Sequence, residues 1–233
     1  MKREQNPNLK ILTQAVERLG VLSYEMVFLG GCATGLLITD KAAPPLRVTK
    51  DVDTIVEAST LAAYQRFSEK LRKQGFREAF SDGAPLCRWL ADDVILDVMP
   101  TDSRILGFGN RWYESALKHA EVTTLPSGRN IRMVTAPYFL STKMEAFDGR
   151  GRGDYLLSHD IEDMIAVVDG RPEIINEVQT ADQELIENVR ARFAQLLSDT
   201  RFIAALSGHM PGDQASQARV GLVIDRIEAI VKG

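Results

Sequence analysis

Hydrophobic positions along this 233-residue chain follow two different patterns. Up to residue 135, short apolar runs alternate with amphipathic stretches, whereas the pattern from Ala136 onward has helical spacing throughout. This predicts a mixed α/β core over residues 1–135 and a helical C-terminal part over residues 136–233. The predicted helices of that second part lie at 136–147, 158–169, 172–178, 181–198 and 214–231.

Helices and strands alternate in the predicted core. A helix over 9–19 carries its apolar side chains on one face, and a second runs from a capping Ser59 to Lys73. The predicted strands, hairpins and short helix lie at 26–29, 52–57, 85–90 with 94–99, 110–118, and 121–125 with 130–134. Paired prolines predict a surface loop over 39–45, because a helix cannot continue through them.

Three aspartates give this pattern its candidate chemistry. Asp51 and Asp53 open one predicted strand, and in an extended chain they project from the same side, roughly 6.6 Å apart along the strand. Asp97 lies within the apolar run 94–99, where an unpaired charge would cost several kcal/mol. If the two strands are neighbours, the three carboxylates suit one or two divalent cations, Mg²⁺ or Mn²⁺, as used in nucleotidyl transfer. Taken alone, an aspartate such as Asp97 is more often a strand-end residue paired with an arginine.

The glycine pair Gly30-Gly31 follows the predicted strand 26–29 directly. Without side chains, these residues let backbone N–H groups approach an anion closely, and the segment after them can begin a helix whose amino end favours phosphate. An ordinary turn is the alternative explanation for such a pair.

These residues together resemble a known signature. Gly30-Gly31, the segment from Arg47 to Asp53, and Leu96-Asp97-Val98 look like the motif of the nucleotidyltransferase superfamily that includes DNA polymerase beta. The AbiEii-like branch, which includes toxins of bacterial toxin–antitoxin systems, is more similar still. The resemblance runs from about residue 26 to 170. One departure is that 19 residues separate Gly31 from Asp51, more than is usual in the superfamily.

The resemblance implies roles for individual residues. Asp51, Asp53 and Asp97 would be catalytic and hold the metal, while Lys143 and Asp160 would complete the catalytic set from the helical part. Nucleotide binding would fall to Gly30, Gly31, Thr49 and Lys143. A solvated surface charge is the alternative for Lys143. The helix dipole alone explains Asp160 and Asp163 near the start of their predicted helix.

Composition narrows the function classes. A hydrophobic share of 45% and a charged share of 26% are typical of a soluble globular protein. The sequence shows neither an apolar run of membrane-spanning length nor a signal peptide, so we expect a cytoplasmic protein. Two cysteines without metal-binding spacing fit a reducing compartment. A net charge of −4 argues against a surface that grips nucleic acid everywhere, although the arginines between 104 and 152 could form a local basic rim.

The sequence thus predicts an enzyme with the α/β nucleotidyltransferase fold that moves an NMP from an NTP to an acceptor hydroxyl. By resemblance the acceptor would be tRNA or a protein, and an antitoxin protein would be a partner. A small aminoglycoside-like acceptor is the alternative within the class. The competing class is a catalytically silent protein of the same fold that binds a nucleotide or a partner. Metal-dependent phosphate hydrolysis is disfavoured by the lack of a His-rich cluster.

Overall fold

The computed structural model describes residues 6–233, and its backbone contacts divide the chain into two compact units. Residues 6–35 and 47–135 form the first, here called the sheet unit. Residues 36–46 and 136–233 form the second, here called the helical unit. The predicted loop 39–45 therefore belongs with the helices, although it lies between two strands along the chain.

One mixed sheet forms the centre of the sheet unit. Its strands are β1 (Met26–Leu29), β2 (Asp51–Val56), β3 (Arg77–Glu78), β4 (Arg88–Ala91), β5 (Val94–Pro100), β6 (Glu121–Thr124) and β7 (Asn130–Met133). Their order across the sheet is β3-β4-β5-β2-β1-β7-β6. Strand β2 pairs with β5 in parallel and β1 pairs with β7 in parallel, and the remaining pairs are antiparallel. Both predicted hairpins are confirmed, whereas the two-residue strand β3 was not predicted.

Four helices accompany the sheet: α1 (Leu9–Leu19), α2 (Gly30–Leu37), α3 (Leu61–Lys73) and α4 (Tyr113–Lys118). Helix α1 has the predicted bounds and buries its apolar face. The expected cap of α3 was wrong by one residue: the side chain of Thr60, and not that of Ser59, accepts a hydrogen bond from the Ala63 amide. Thr60 has the extended backbone that a capping residue needs.

The described part of the helical unit contains α5 (Ala136–Arg150), α6 (His159–Gly170), α7 (Ile174–Gln179), α8 (Gln183–Ser198), α9 (Thr200–Leu206) and α10 (Gln214–Lys232). Helix α5 is buried on nearly all sides and packs against α6 and α8, which explains its apolar run from 136 to 140. Helix α10 packs against α8 and α6. Helix α9 was not predicted, because seven residues are too few to show a helical period.

The architecture confirms the predicted fold class: a mixed α/β core with a seven-stranded sheet and flanking helices, and a helical part after it. Within residues 6–233, no helix has the length and apolar character needed to cross a bilayer. The functional assignment of the two parts of the chain stays a prediction.

Candidate active site

The pairing of β2 with β5 brings the three predicted acids together on one face of the sheet. Asp53 and Asp97 are register partners in the parallel pair, so their side chains project to the same side. Asp51, two residues before Asp53, shares that face. Asp97 is buried and the other two are partly buried, so the acids lie between the sheet interior and solvent.

An arginine from the neighbouring strand engages two of these acids. Arg88 on β4 is the register partner of Asp97 in the antiparallel pair with β5. Its Nε and Nη2 donate to the two carboxylate oxygens of Asp97 at 2.8 and 2.7 Å, and Nη2 also donates to Oδ2 of Asp51 at 2.7 Å. We call Asp51, Asp97 and Arg88 the sheet cluster. The alternative of an arginine partner for Asp97 is therefore realised in this structure.

The loop before β2 orients Asp51 independently of the arginine. The Thr49 hydroxyl donates to Oδ1 of Asp51 at 2.8 Å, and the Thr49 amide donates to Oδ1 of Asn8 at 2.9 Å. Asn8 is buried and donates from Nδ2 to the carbonyls of Gly31 and Arg47, at 3.3 and 3.0 Å. One asparagine side chain thus connects the first turn of α2 to the loop that precedes Asp51.

The glycine turn fits closely around Asp53. Gly30 begins α2 with φ +74°, and a Cβ at this position would lie 1.8 Å from Oδ2 of Asp53. Any side chain here would therefore collide with the carboxylate in addition to straining the backbone. Gly30 thus makes room for an acid, and its role in nucleotide binding stays a prediction.

Burial and charge shift the ionisable groups around the acids. Hydrogen bonds to Asp97 raise the pKa of Arg88 above its ordinary value, against the opposing effect of burial, so its guanidinium stays charged. Burial, together with the charges of Asp97 and Asp53, raises the pKa of the Cys87 thiol to about 12. Cys87 is therefore an uncharged, buried thiol.

The acids fit a divalent cation by chemistry but not in the present arrangement. Carboxylate oxygens on one sheet face are ligands that Mg²⁺ accepts. The guanidinium of Arg88, however, bonds to both Asp51 and Asp97, which a cation between them would need. In the part of the chain described, no three His, Cys, Asp or Glu side chains are grouped so as to hold a metal ion. The fit therefore depends on release of Arg88.

A second group of charges lies inside the helical unit. The ammonium of Lys143 on α5 donates to Oδ1 of Asp160 at 3.2 Å and to Oδ2 of Asp163 at 2.7 Å, both on α6. Arg150 donates to both oxygens of Asp160, from Nε at 2.8 Å and Nη2 at 2.7 Å. We call these four residues the helical cluster. Lys143 and the two aspartates are buried, which contradicts the alternative of a solvated surface lysine.

The cations of the helical cluster determine the titration of Asp160. Burial alone would raise the pKa of this carboxyl, but the hydrogen bond from Arg150 and the charge of Lys143 outweigh burial and hold the pKa below its usual range. The ring of Phe139 also lies 5.6 Å from the Lys143 ammonium, close enough for a cation–π contact.

Two histidines of the helical unit make local contacts. His159 is exposed and its Nδ1 lies 3.1 Å from Oε2 of Glu162, and His209 contacts the carbonyl of Tyr155. The arginine-rich segment after α5 contributes to an open depression of about 390 Å³. Its lining consists of Arg152, Gly153, Asp154, Tyr155, Leu156, Arg201 and Ala205.

Sequence reasoning did not single out Arg88 or Asn8. A signal for Arg88 was available, because the segment Cys87-Arg88-Trp89-Leu90 places a lone charge in an apolar strand at the position that faces Asp97 across the hairpin. Asn8 carried no signal, since the three hydrogen bonds of its side chain join segments that are distant along the chain.

No protein-family model and no curated protein matches this chain. Solved structures do match. An antigenic nucleotidyltransferase-like protein from Paracoccidioides brasiliensis has a TM-score of 0.51 and 20% identity, with 85% of this chain and 91% of that chain covered. The solution structure of the antibiotic-resistance factor ANT(2'')-Ia has a TM-score of 0.45 and 14% identity, with 82% and 92% covered. The first likeness shows that this chain has a nucleotidyltransferase fold.

Proposed function

We propose that this protein is a nucleotidyltransferase that moves an NMP from an NTP to an acceptor hydroxyl and releases pyrophosphate. The observation that supports the proposal most directly is the convergence of Asp51, Asp53 and Asp97 on one face of β2 and β5. A structural ion pair with Arg88 needs one carboxylate, whereas the sheet places three on one face, with Asp53 opposite Asp97 and Asp51 two residues before Asp53. The nucleotidyltransferase fold supports the same chemistry.

The chain's own residues would divide the work. Asp51, Asp53 and Asp97 would hold Mg²⁺, or Mn²⁺ in its place, which when bound neutralises phosphate charge and lowers the pKa of a coordinated hydroxyl. Thr49 keeps Asp51 in one orientation, and Gly30 lets the backbone lie close against Asp53. By resemblance, the backbone of Gly30 and Gly31 would seat the phosphates. By resemblance, Lys143 would offset charge on the phosphates and Asp160 would orient its ammonium, which the 3.2 Å contact permits.

The finer assignments rest on the resemblance to the AbiEii-like branch. We propose tRNA or a protein side chain as the acceptor, a toxin role with an antitoxin partner, and a cytoplasmic location. A small aminoglycoside-like acceptor is the alternative within the class. The chain's negative net charge favours an acceptor held locally over one gripped by the whole surface.

The test of activity is nucleotide transfer by the purified protein. We expect incubation with each labelled NTP, Mg²⁺ and total RNA to label an acceptor, and a folded Asp53→Ala variant to lose transfer by about two orders of magnitude or more. Asp53→Ala should keep its fold, because it deletes one of several neighbouring acids whose charges repel each other.

The matched control for Asp53→Ala is Asp93→Ala, which removes an exposed acid from the hairpin turn of the same unit. Full transfer by Asp93→Ala would show that the loss is local to the acids. Wild-type turnover by folded Asp53→Ala would contradict the proposed role.

One observation favours a second candidate function, a catalytically silent protein that binds a nucleotide or partner. Arg88 already neutralises part of the charge of Asp51 and Asp97, and a fold that no longer binds metal would retain such a pairing. Differential scanning fluorimetry separates the two functions. If the protein is an enzyme, an NTP with Mg²⁺ should raise the Tm well above the value measured with the NTP and a chelator. At a hundredfold excess of ligand over Kd, binding adds about 2.7 kcal/mol to the free energy of unfolding. The silent protein would show no metal-dependent rise.

A further inference from the structure

The guanidinium of Arg88 contacts both Asp51 and Asp97, in the place that a divalent cation between these two acids would occupy. We infer that Arg88 is an internal counter-cation which competes with a divalent metal ion for Asp51 and Asp97, so that metal enters the sheet cluster only as the guanidinium withdraws. The inference deepens the proposed function, on which its biological meaning rests, but metal binding itself is measured separately from transfer.

The charges of the sheet cluster leave it incompletely neutralised. Two carboxylates, Asp51 and Asp97, share one guanidinium, so these three side chains carry a formal net charge of −1. A divalent cation in the same place would neutralise both acids. Since two cations cannot share the same short contacts without strong repulsion, occupancy by Arg88 and by metal should exclude each other.

The exposure of the cluster allows such an exchange. The side chain of Arg88 is 25% exposed and that of Asp51 is 31% exposed, so solvent ions reach the pair. The side chain of Asp97 is 9% exposed, and a charge buried to this degree is stabilised by a cation partner. A guanidinium on a flexible side chain can withdraw toward solvent by rotation about its own bonds. The strand β4 that carries it need not move.

The acids themselves would remain in place after the exchange. Thr49 donates to the Asp51 oxygen that Arg88 does not use, and Asn8 holds Thr49 through its amide. Asp97 is fixed by its strand, which pairs with β2 on one side and β4 on the other. Removing Arg88 should therefore make the carboxylates of Asp51 and Asp97 accessible to a cation and leave their positions nearly unchanged.

The test is the affinity for Mn²⁺ alone, with no nucleotide, measured by isothermal titration calorimetry and by electron paramagnetic resonance of free Mn²⁺. We expect Arg88→Gln to bind Mn²⁺ at least about tenfold more tightly than wild type, because the competing charge is gone. Arg88→Lys, which keeps the charge but loses the planar fork, should lie between them. Arg104→Gln is the matched control, since it removes an exposed arginine paired with Asp102 in the same unit, and its affinity should equal that of wild type.

A second measurement uses the wild-type protein and does not depend on the folding of a variant. Mg²⁺ titration should move the Nε–Hε signal of Arg88 in a ¹⁵N-resolved NMR spectrum, assigned by its loss in Arg88→Lys, toward the position of a solvated arginine. The signal of Arg104 should stay where it is.

Each outcome decides the inference. Tighter Mn²⁺ binding by Arg88→Gln supports it, and binding by that variant alone would support it in the form that favours the silent function. Equal affinities in wild type and Arg88→Gln, absence of binding in both, or an Arg88 signal that Mg²⁺ does not move would overturn it. Failure of the proposed function has a different signature, in which Arg88→Gln binds Mn²⁺ tightly and neither protein transfers a nucleotide.

Discussion

The sheet cluster and the helical cluster differ in how completely their own side chains neutralise them. In the helical cluster, two carboxylates from Asp160 and Asp163 meet two cations, Lys143 and Arg150. In the sheet cluster, two carboxylates meet the single guanidinium of Arg88, with Asp53 beside them on the same sheet face. The helical cluster is therefore balanced by its own side chains, while the sheet cluster retains a formal negative charge.

This difference in net charge leads to different expectations for substitutions in the two clusters. Three of the four charges in the helical cluster are buried and only Arg150 is largely exposed, so the loss of one buried charge should appear first as lost stability. If Arg88 exchanges with a metal ion as proposed, alteration of the sheet cluster should appear first as altered binding. The comparison predicts that substitutions in the helical cluster lower stability first, in addition to any effect on the transfer proposed for Lys143 and Asp160, whereas substitutions in the sheet cluster change binding first.

The largest effect is expected for Lys143→Met, which leaves Asp160 and Asp163 without their shared ammonium. Breaking a buried ion pair by removing one partner typically costs about 3–5 kcal/mol, and Lys143 is 7% exposed, so little of that cost is relieved by solvent. Urea denaturation followed by circular dichroism would measure the loss in the free energy of unfolding.

The matched control for Lys143→Met is Lys232→Met, which removes an exposed lysine paired with Glu228 on α10 and should change stability by less than about 0.5 kcal/mol. A loss below 1 kcal/mol for folded Lys143→Met would break the comparison, because the helical cluster would then contribute no more than a surface ion pair.

The next effect is expected for Gly30→Ala in the sheet unit. The new Cβ would collide with the carboxylate of Asp53, and the alanine would have to keep the positive φ of Gly30. We therefore expect the free energy of unfolding to fall by at least about 2 kcal/mol, more than backbone strain alone would cost. Gly128→Ala separates these two causes, because Gly128 has φ +84° with open space around it and should cost about 1 kcal/mol. Equal losses for the two variants would show that Asp53 yields easily and that the turn does not fix its position.

The sequence predicted the sheet face better than the charges on it. The period-two pattern located β2 and β5, and the spacing of Asp51 and Asp53 gave their common side, because strand geometry is local and regular. Arg88 went unnoticed, since the partner of a charge depends on which strands become neighbours across the sheet. The position of Lys143 on a helix was correct, but its burial among two aspartates depends on how α5 packs against α6, which local periodicity does not contain.

The smallest effect concerns pH and sharpens the comparison at Asp160. Because Arg150 and Lys143 hold its folded-state pKa below the ordinary value of 3.8, in spite of burial, Asp160 contributes stability that is fully present above pH 3.8 and is lost as the pH falls through the folded-state pKa. The free energy of unfolding of wild type, measured against Asp160→Asn from pH 7 down to acid denaturation, should show a constant advantage at neutral pH that shrinks only below pH 3.8. Asp93→Asn, which replaces an exposed acid of the hairpin turn, is the matched control for the loss of an aspartate. An advantage for wild type that is unchanged at the lowest pH would mean that the charge of Asp160 adds nothing to stability, and the helical cluster would then be held by packing alone.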